Sequence, residues 1–559
     1  MTTPAPFDRT QLLLRECTEE PKNVMGYGRP PAPPPHYSDR TVDGMRIIQN
    51  LKVTMRDGVA IYIDIYLPQG AGDEPVLGTL VGWAAFGKHN VSATLPANTG
   101  LPDGSISKYT GFEVPDPVYW TAAGYAVVYP DPRGSWHSEG TYYQVGTEID
   151  DAYDLCEWTG SQAWSNGKVA FTGVSYPATI AWQLATRRPP HLAAIVPWEG
   201  FTDMYREFAY HGGIRETGHT HMAGKVMGWP GRFSEDLTRN YDAHPFDDAF
   251  WAYKRAPLED IEVPTYVCAS WSDQGLHGRG TLEGWKRNGT KQKWLQVHGR
   301  QKWAEYYRPE NVARQRMFFD RFVLGKDTGI EQRPTVEIEV RERAFVGAVR
   351  AEQEWPLART RYEKLFLHVA GGSLCDAPTA AVSNASYQPT DGGKLSFDFC
   401  FKEDTEITGH MALKLWVQAD GSDDMDLFVA IQKVDAQGEL VGFPYFSFHT
   451  DGPVALGWLR VSHRELDPKR STTGQPVLLH QREQRLKAED IVPVEIEIWP
   501  SSTLYRAGET LRVLLQGRDI YVYAEAHTQG SHLELRNAGR HILHTGGRFD
   551  SHLLVPVIP

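Results

Sequence analysis

Three side chains suited to acyl transfer each follow an apolar, strand-like run: Ser175 after 169–174, Asp273 after 265–271, and His298 after 293–297. Ser175 lies in Gly173-Val174-Ser175-Tyr176-Pro177, where the strand-like run gives way to a helix-like segment ending at Pro189-Pro190. A serine on a sharp strand-to-helix turn has the geometry of a nucleophile elbow, with the first helical N–H groups aimed at developing negative charge. Such a serine is also a common helix cap, and the strict G-x-S-x-G pattern is missed because Pro177 replaces the second glycine. The other two residues give Ser175 a catalytic reading. Serine needs an imidazole to take its proton, and the imidazole needs a carboxylate to fix its tautomer. The order Ser, acid, His is that of the α/β-hydrolase topology. His277 follows Asp273 so closely that His298 is the preferred base.

The elements that must position these residues read as an α/β fold. Strand-like runs at 76–86, 125–130, 193–198, 265–271 and 293–297 alternate with helical spacing at 148–159, after Ser175 and up to about 325. Acidic residues of the 148–159 helix are expected on its exposed side. Residues 45–67 read as a hairpin turning at Arg56-Asp57-Gly58-Val59. From 201 to about 257 the rhythm breaks into a segment rich in aromatics, His and Gly, expected to be a helical cap over the strand ends. Its Phe201, Tyr205 and Phe208, with the preceding Trp198, are candidates to line a substrate pocket. Beyond Pro334, alternating strands follow one another without a helix, an all-β sandwich of roughly 220 residues. The expected division is an arm at 1–40, with 29–36 in polyproline II, and an α/β-hydrolase domain at 41–200 and 258–328. A cap at 201–257 and a β domain at 329–559 complete it.

The totals agree. A chain of 559 residues holds two or three domains, and a formal charge of −13 with no basic stripe argues against nucleic acid as a partner. No run is apolar and long enough to span a bilayer, and no basic, apolar leader opens the chain. Five scattered cysteines without a C-x-x-C suggest free thiols, hence a cytoplasmic location. His219-Thr-His221 lacks a third metal ligand at useful spacing, and Gly275-Leu-His-Gly-Arg-Gly280 matches no nucleotide pattern. No cofactor is expected. The partner is a small-molecule ester or amide; membrane association is not expected and homo-oligomerisation is left open.

Several motifs make the chain similar to the cocaine-esterase-like (CocE/NonD) hydrolases, relatives of the X-Pro dipeptidyl-peptidases. They are Asp131-Pro-Arg-Gly134, Ser138-Glu-Gly140, Trp164-Ser-Asn-Gly-Lys168, Gly173-Val-Ser-Tyr176, Ser272-Asp273 and His298-Gly299. The C-terminal half adds Asp424-Met-Asp-Leu-Phe428, Gly457-Trp-Leu-Arg-Val-Ser462, Ile491-Val-Pro-Val494, Ala507-Gly-Glu509 and His544-Thr-Gly-Gly547. The resemblance implies an α/β-hydrolase core, an inserted helical cap and a C-terminal jelly roll, with Ser175 as nucleophile, Asp273 as acid and His298 as base. Two departures stand out. The family's glycine three residues after the serine is Ala178 here. The family's oxyanion-loop tyrosine is Phe86, in Ala84-Ala85-Phe86-Gly87-Lys88, and phenylalanine donates no hydrogen bond. The Tyr176 backbone N–H is then one remaining donor. A serine hydrolase working through an acyl-enzyme is the leading expectation. Acyl transfer at the same serine and a ligand-binding fold without catalysis are the alternatives. X-Pro peptidases of this lineage tend to be longer, which favours esters.

Overall fold

The computed structural model describes residues 7–17, 36–71, 76–83, 86–88, 99–226, 233–524 and 530–559. The proline-rich stretch at 29–35, and Ala84 and Ala85 of the expected oxyanion loop, lie outside these residues. The N-terminal half is built on one sheet. Its strands are β1 (Ser38–Val42), β2 (Met45–Thr54), β3 (Ala60–Pro68), β4 (Leu77–Val81), β5 (Tyr125–Asp131), β6 (Ser165–Val174), β7 (Leu192–Trp198), β8 (Thr265–Ser270), β9 (Lys293–His298) and β10 (Val336–Arg343). They lie in the order 1-2-3-5-4-6-7-8-9-10, parallel from β5 onward. The central strands are buried on both faces, which is why they read as continuous apolar runs. Val169 and Phe171 of β6 enter one cluster with Ile195, while Ala170 enters another with Ala194 and Val196.

Helices cover both faces. α2 (Thr147–Gly160) and α3 (Tyr176–Ala185) pack on one side; α1 (Pro117–Ala122) and α9 (Pro309–Phe322) meet on the other, where Trp120 contacts Phe319 edge-on at 5.4 Å. The acidic face expected to be exposed on α2 is partly buried. Glu148 accepts from Trp83 Nε1 at 2.8 Å, and Asp151 takes Arg133 in a fork at 2.8 and 2.6 Å. A buried carboxylate persists when it is hydrogen-bonded or paired, and periodicity alone cannot reveal such a partner.

The segment between β7 and β8 holds α4 (His219–Val226), α5 (Leu237–Ala243) and α6 (Ala249–Tyr253), but it is not purely helical. Tyr210–His211 pairs with Ile214–Arg215, and Phe233–Glu235 pairs antiparallel with Leu14–Glu16 of the N-terminal arm. α7 (Gly278–Arg287) joins β8 to β9, and the helical stretch read on to about 325 is two helices, α8 (Lys302–Tyr307) and α9.

The C-terminal half is β-rich. One antiparallel run aligns Arg361–His368, His552–Ile558, Thr405–Asp420 and Val492–Tyr505. Another aligns Lys394–Cys400, Thr510–Gln516, Asp426–Val434 and Ala455–Arg460. Apolar residues from both runs, including Leu413, Ile496, Val429 and Val513, share one core. The textural change after Pro334 does not mark the end of the first sheet. β10 pairs in parallel with β9 and contacts Thr503 at its far end, so the two halves share hydrogen bonds. The acidic stretch before Asp426 is structural: Asp424 accepts from the Ser462 N–H at 2.9 Å, and Asp426 takes Arg460 in a fork at 2.8 and 2.9 Å.

Candidate active site

Ser175 occupies the one-residue turn between β6 and α3, with φ 64° and ψ −115°. That conformation costs about 1 to 3 kcal/mol for a non-glycine residue and persists only where its surroundings over-determine it. Here they do. The Ser175 N–H is shared between the carbonyls of Trp198 at 3.0 Å and Glu199 at 2.9 Å, and the Val174 N–H donates to Glu113 O at 2.9 Å. Gly173 is required at φ 151°, because a Cβ there would stand 2.5 Å from Pro177 Cβ. Ala178 is accommodated by a glycine opposite: a Cβ on Gly200 would lie 2.7 Å from Ala178 Cβ. The glycine missing from the helix is thus matched by one on the facing loop.

Ser175 Oγ lies 3.0 Å from Nε2 of His277, and His277 Nδ1 lies 2.5 Å from Asp273 Oδ2. The imidazole in the row is therefore His277, and the expectation for His298 is corrected. Asp273 and His277 belong to one tight loop between β8 and α7. The Gly278 N–H donates to Asp273 O at 3.0 Å and folds the chain back, so that residues four apart face each other. Gly275, at φ 84°, turns the loop, and a Cβ on Gly278 would come 2.9 Å from Asp273 O. The two glycines flanking His277 were the available sequence signal. Sequence reasoning passed over it because acid and base in this topology were expected at the ends of different strands.

His298 ends β9 as expected, but it is committed elsewhere. The Arg300 N–H donates to His298 Nδ1 at 3.2 Å, which leaves the proton on Nε2, and Nε2 donates to Glu199 Oε1 at 3.1 Å. Burial pulls His298 down, but the Glu199 carboxylate outweighs it and holds the imidazole above its ordinary value.

The position near Asp273 where another charge enters is filled by Lys302, the first residue of α8. Its Nζ is 3.2 Å from Asp273 Oδ2 and 3.1 Å from His277 Nδ1, and the side chain is 6% exposed. Burial would raise Asp273, but Lys302 and His277 hold it well below the usual carboxylate range. Burial, with Lys302 adding to it, pushes His277 down to about 4 against the pull of Asp273. Glu113, buried nearby with Oε1 accepting from Trp303 Nε1 at 2.9 Å, is pushed up to about 8 by burial.

Ser175 opens on a small cavity of about 70 Å³. Its walls come from three parts of the chain: Phe86, Phe112 and Trp303 from the α/β unit, His219 and Met222 from α4, and the 446–448 loop from the β-rich half. The Phe446 N–H donates to Ser272 O at 3.0 Å and ties that loop to the residue before Asp273. The four aromatics expected to line the pocket are not among the lining residues. Trp198 is fully buried against Tyr306, and Tyr205 stacks on Tyr210 at 5.0 Å. Phe201 packs on the His277 ring at 4.4 Å, with Phe208 behind it at 4.9 Å. They support the base from behind.

Tyr176 is the first residue of α3, where a backbone N–H has no intrahelical acceptor. Its side chain turns away, donating to Glu148 and receiving from Tyr142 Oη at 3.0 Å. Phe86 lines the cavity edge-on to Phe112 at 5.1 Å, so this wall offers an aromatic edge where a tyrosine would offer a hydroxyl. Its loop is anchored by Asp131, which accepts from the Lys88 N–H at 2.8 Å. That gives the Asp131-Pro-Arg-Gly134 motif a structural role. His219 stacks on Phe446 at 5.0 Å, and among the described residues no cluster could hold a metal ion.

A mainly parallel sheet with a serine elbow, a hydrogen-bonded Ser–His–Asp row and a β-rich C-terminal half defines an α/β-hydrolase-like serine hydrolase. The comparisons with known proteins bear on its family. Residues 57–301 match the X-Pro dipeptidyl-peptidase (S15) family, and 328–554 match the X-Pro dipeptidyl-peptidase C-terminal non-catalytic domain. A crystal structure of a CocE/NonD family hydrolase from Staphylococcus aureus is 40% identical, covers 92% of this chain and 94% of its own, and superposes with a TM-score of 0.88. Cocaine esterase from Rhodococcus sp. is 24% identical over 92% of this chain and 100% of its own length. An α-amino acid ester hydrolase, 17% identical and covering 96% of this chain and 100% of its own, shares the fold with a TM-score of 0.67. The chain belongs to the CocE/NonD family, related to the X-Pro dipeptidyl-peptidases, and is an esterase- or peptidase-like hydrolase of ester or amide bonds.

Proposed function

We propose that the protein cleaves esters of small, neutral, apolar acyl groups through an acyl-enzyme on Ser175. The observation that carries this reading is the continuous row from Ser175 Oγ to His277 Nε2 at 3.0 Å and from His277 Nδ1 to Asp273 at 2.5 Å. His277 takes the serine proton as Oγ attacks the acyl carbon, and returns it to the departing alkoxide as the tetrahedral intermediate collapses. Water, deprotonated by the same imidazole, then releases the acid. Asp273 holds the Nδ1 proton and stabilises the transient imidazolium. The Tyr176 N–H at the start of α3 is the nearest candidate for the oxyanion donor.

The cavity supports the acyl class. Its walls are largely aromatic; burial pushes the Glu113 carboxyl up to about 8, and the charge of Lys302 is matched by Asp273. A charged acyl group would find no free counter-charge there among the described residues. In this reading α4 to α6 and their connections form a cap and the C-terminal half is a jelly roll. The thiols of Cys17, Cys156, Cys268, Cys375 and Cys400 are all free, as suits a reducing, cytoplasmic setting.

A fluorophosphonate probe should label the wild type and leave Ser175→Ala unlabelled. Aryl esters of short arylalkanoic acids should then turn over faster than X-Pro anilides. A wild type that resists the probe defeats the proposal, and faster X-Pro anilide cleavage defeats its substrate class.

A further inference from the structure

The row at Ser175 contains a fourth member that the acyl-transfer chemistry does not itself require. Lys302 reaches it from α8, a helix separate from the elements carrying the other three. Its ammonium is buried and stands 3.2 Å from Asp273 Oδ2 and 3.1 Å from His277 Nδ1. Nδ1 has one hydrogen position. If its proton points to Asp273 Oδ2 at 2.5 Å, the lysine cannot donate to that nitrogen and must donate to the same carboxylate oxygen. Asp273 then accepts from two donors. The alternative, a lysine proton donated to Nδ1, would put the imidazole proton on Nε2, facing Ser175, and remove the base. The Asp273 carboxylate at 2.5 Å favours the productive arrangement, and Lys302 fixes that carboxylate in place.

The second consequence is electrostatic. When His277 becomes an imidazolium, its new charge meets an ammonium at 3.1 Å inside a buried site. An aspartate alone would make the imidazole more basic; an aspartate bound to a lysine still pulls that way, but the lysine offsets part of the pull. The other groups facing this cluster are Ser175 on the elbow, His219 on α4, Glu199 after β7 and Glu113 before α1. Glu113 and Glu199 act on Lys302: burial disfavours its charge, but they and Asp273 outweigh burial and keep it protonated.

We propose that Lys302 is a positioning residue of this site. Its ammonium, seated on Asp273 and against Nδ1 of His277, keeps the imidazole neutral and sets the acidic limit below which Ser175 loses its base. The inference rests on the serine-hydrolase reading above. It predicts a hydrolase that stays active well into acid, because His277 is held down to about 4 by burial and Lys302.

The test is the pH dependence of the second-order rate of fluorophosphonate labelling in the wild type, Lys302→Gln and Lys302→Arg. Lys302→Gln keeps a donor beside Asp273 and removes the charge. Its acid limb should move up by about 1 to 3 pH units, the span expected for one charge at this distance. Lys302→Arg should restore the wild-type limb. A Lys302→Gln limb that coincides with that of the wild type overturns the proposal while leaving the hydrolase reading intact. A wild type that is not labelled at any pH removes the reading beneath both. If Lys302→Gln does not fold, the same labelling rates for Lys302→Met decide: an acid limb moved up from that of the wild type supports the role, and one that coincides with it overturns it.

Discussion

Two histidines lie at or beyond the ends of neighbouring strands of one sheet, each buried and each hydrogen-bonded to a carboxylate. His277 lies 2.5 Å from Asp273, and His298 lies 3.1 Å from Glu199. Their basicities diverge. His298 is held above its ordinary value, whereas His277 is driven down to about 4. The difference lies in the neighbouring charges: Lys302 stands 3.1 Å from Nδ1 of His277 and adds to burial, while Nδ1 of His298 accepts from a neutral backbone N–H at 3.2 Å and Glu305 and Glu339 add to the pull of Glu199. A histidine–carboxylate pair therefore does not by itself identify a base. Its remaining neighbours decide whether it stores a proton or passes one on.

The most forceful way to break the comparison is to remove each imidazole in turn. His277→Ala should lower ester turnover by about 10⁴-fold or more, while circular dichroism and melting stay close to those of the wild type. His298→Leu should leave turnover within about tenfold and cost stability, about 3 kcal/mol, because it removes the donor and strands Glu199 in the interior. The reverse pattern in steady-state rates and denaturant melts would return the base to His298. Next in size is Phe86→Tyr, which adds a hydroxyl to the wall facing Ser175. Ester turnover should rise, by up to about 10²-fold if that hydroxyl reaches the oxyanion. An unchanged kcat would mean that the hole is complete without it. The smallest effect is expected from Gly200→Ala, whose new methyl meets Ala178 at 2.7 Å. A loss of about 1 to 3 kcal/mol in denaturant melts would mark this contact as the constraint on the elbow. Ala178→Gly in the same background should recover only part of the loss, because the new methyl also meets the Thr179 backbone nitrogen at 2.9 Å.

Acid sensitivity adds a sign to these measurements. His277 titrates near 4 when folded and near 6.5 when unfolded, so between those values the unfolded chain binds more protons. Its contribution to stability is intact above 6.5 and is lost as pH falls toward 4. The acid limb of activity and this loss of stability therefore occupy different parts of the pH scale, and labelling rates should outlast the first decline in melting temperature.

Much of this site was legible in the sequence. Ser175 and Asp273 were found because both follow strands of one parallel sheet, where such folds gather their reactive groups. The helix, sheet and β-rich regions followed from hydrophobic period and turn residues. His277 was missed because its place depends on a loop that folds back on itself, and four residues of separation carry no periodic signature there. Lys302 was invisible for a similar reason: a lysine at a helix start reads as solvated until burial is known. The exposed face assigned to α2 failed at Glu148 and Asp151, whose partners Trp83, Tyr176 and Arg133 are distant in sequence or on other elements. The aromatics of 198–208 do not line the cavity: Phe201 and Phe208 lie on the other side of the imidazole, and Trp198 and Tyr205 pack elsewhere, distinctions that depend on side-chain direction.

The hydrogen bond from Phe446 to Ser272 makes the chemistry a joint property of both ends of the polypeptide. A chimera that took its C-terminal half from another member of the family would inherit that member's lid on the nucleophile. Selectivity in such proteins should then be exchangeable as a block, with Ser175 and its relay left untouched.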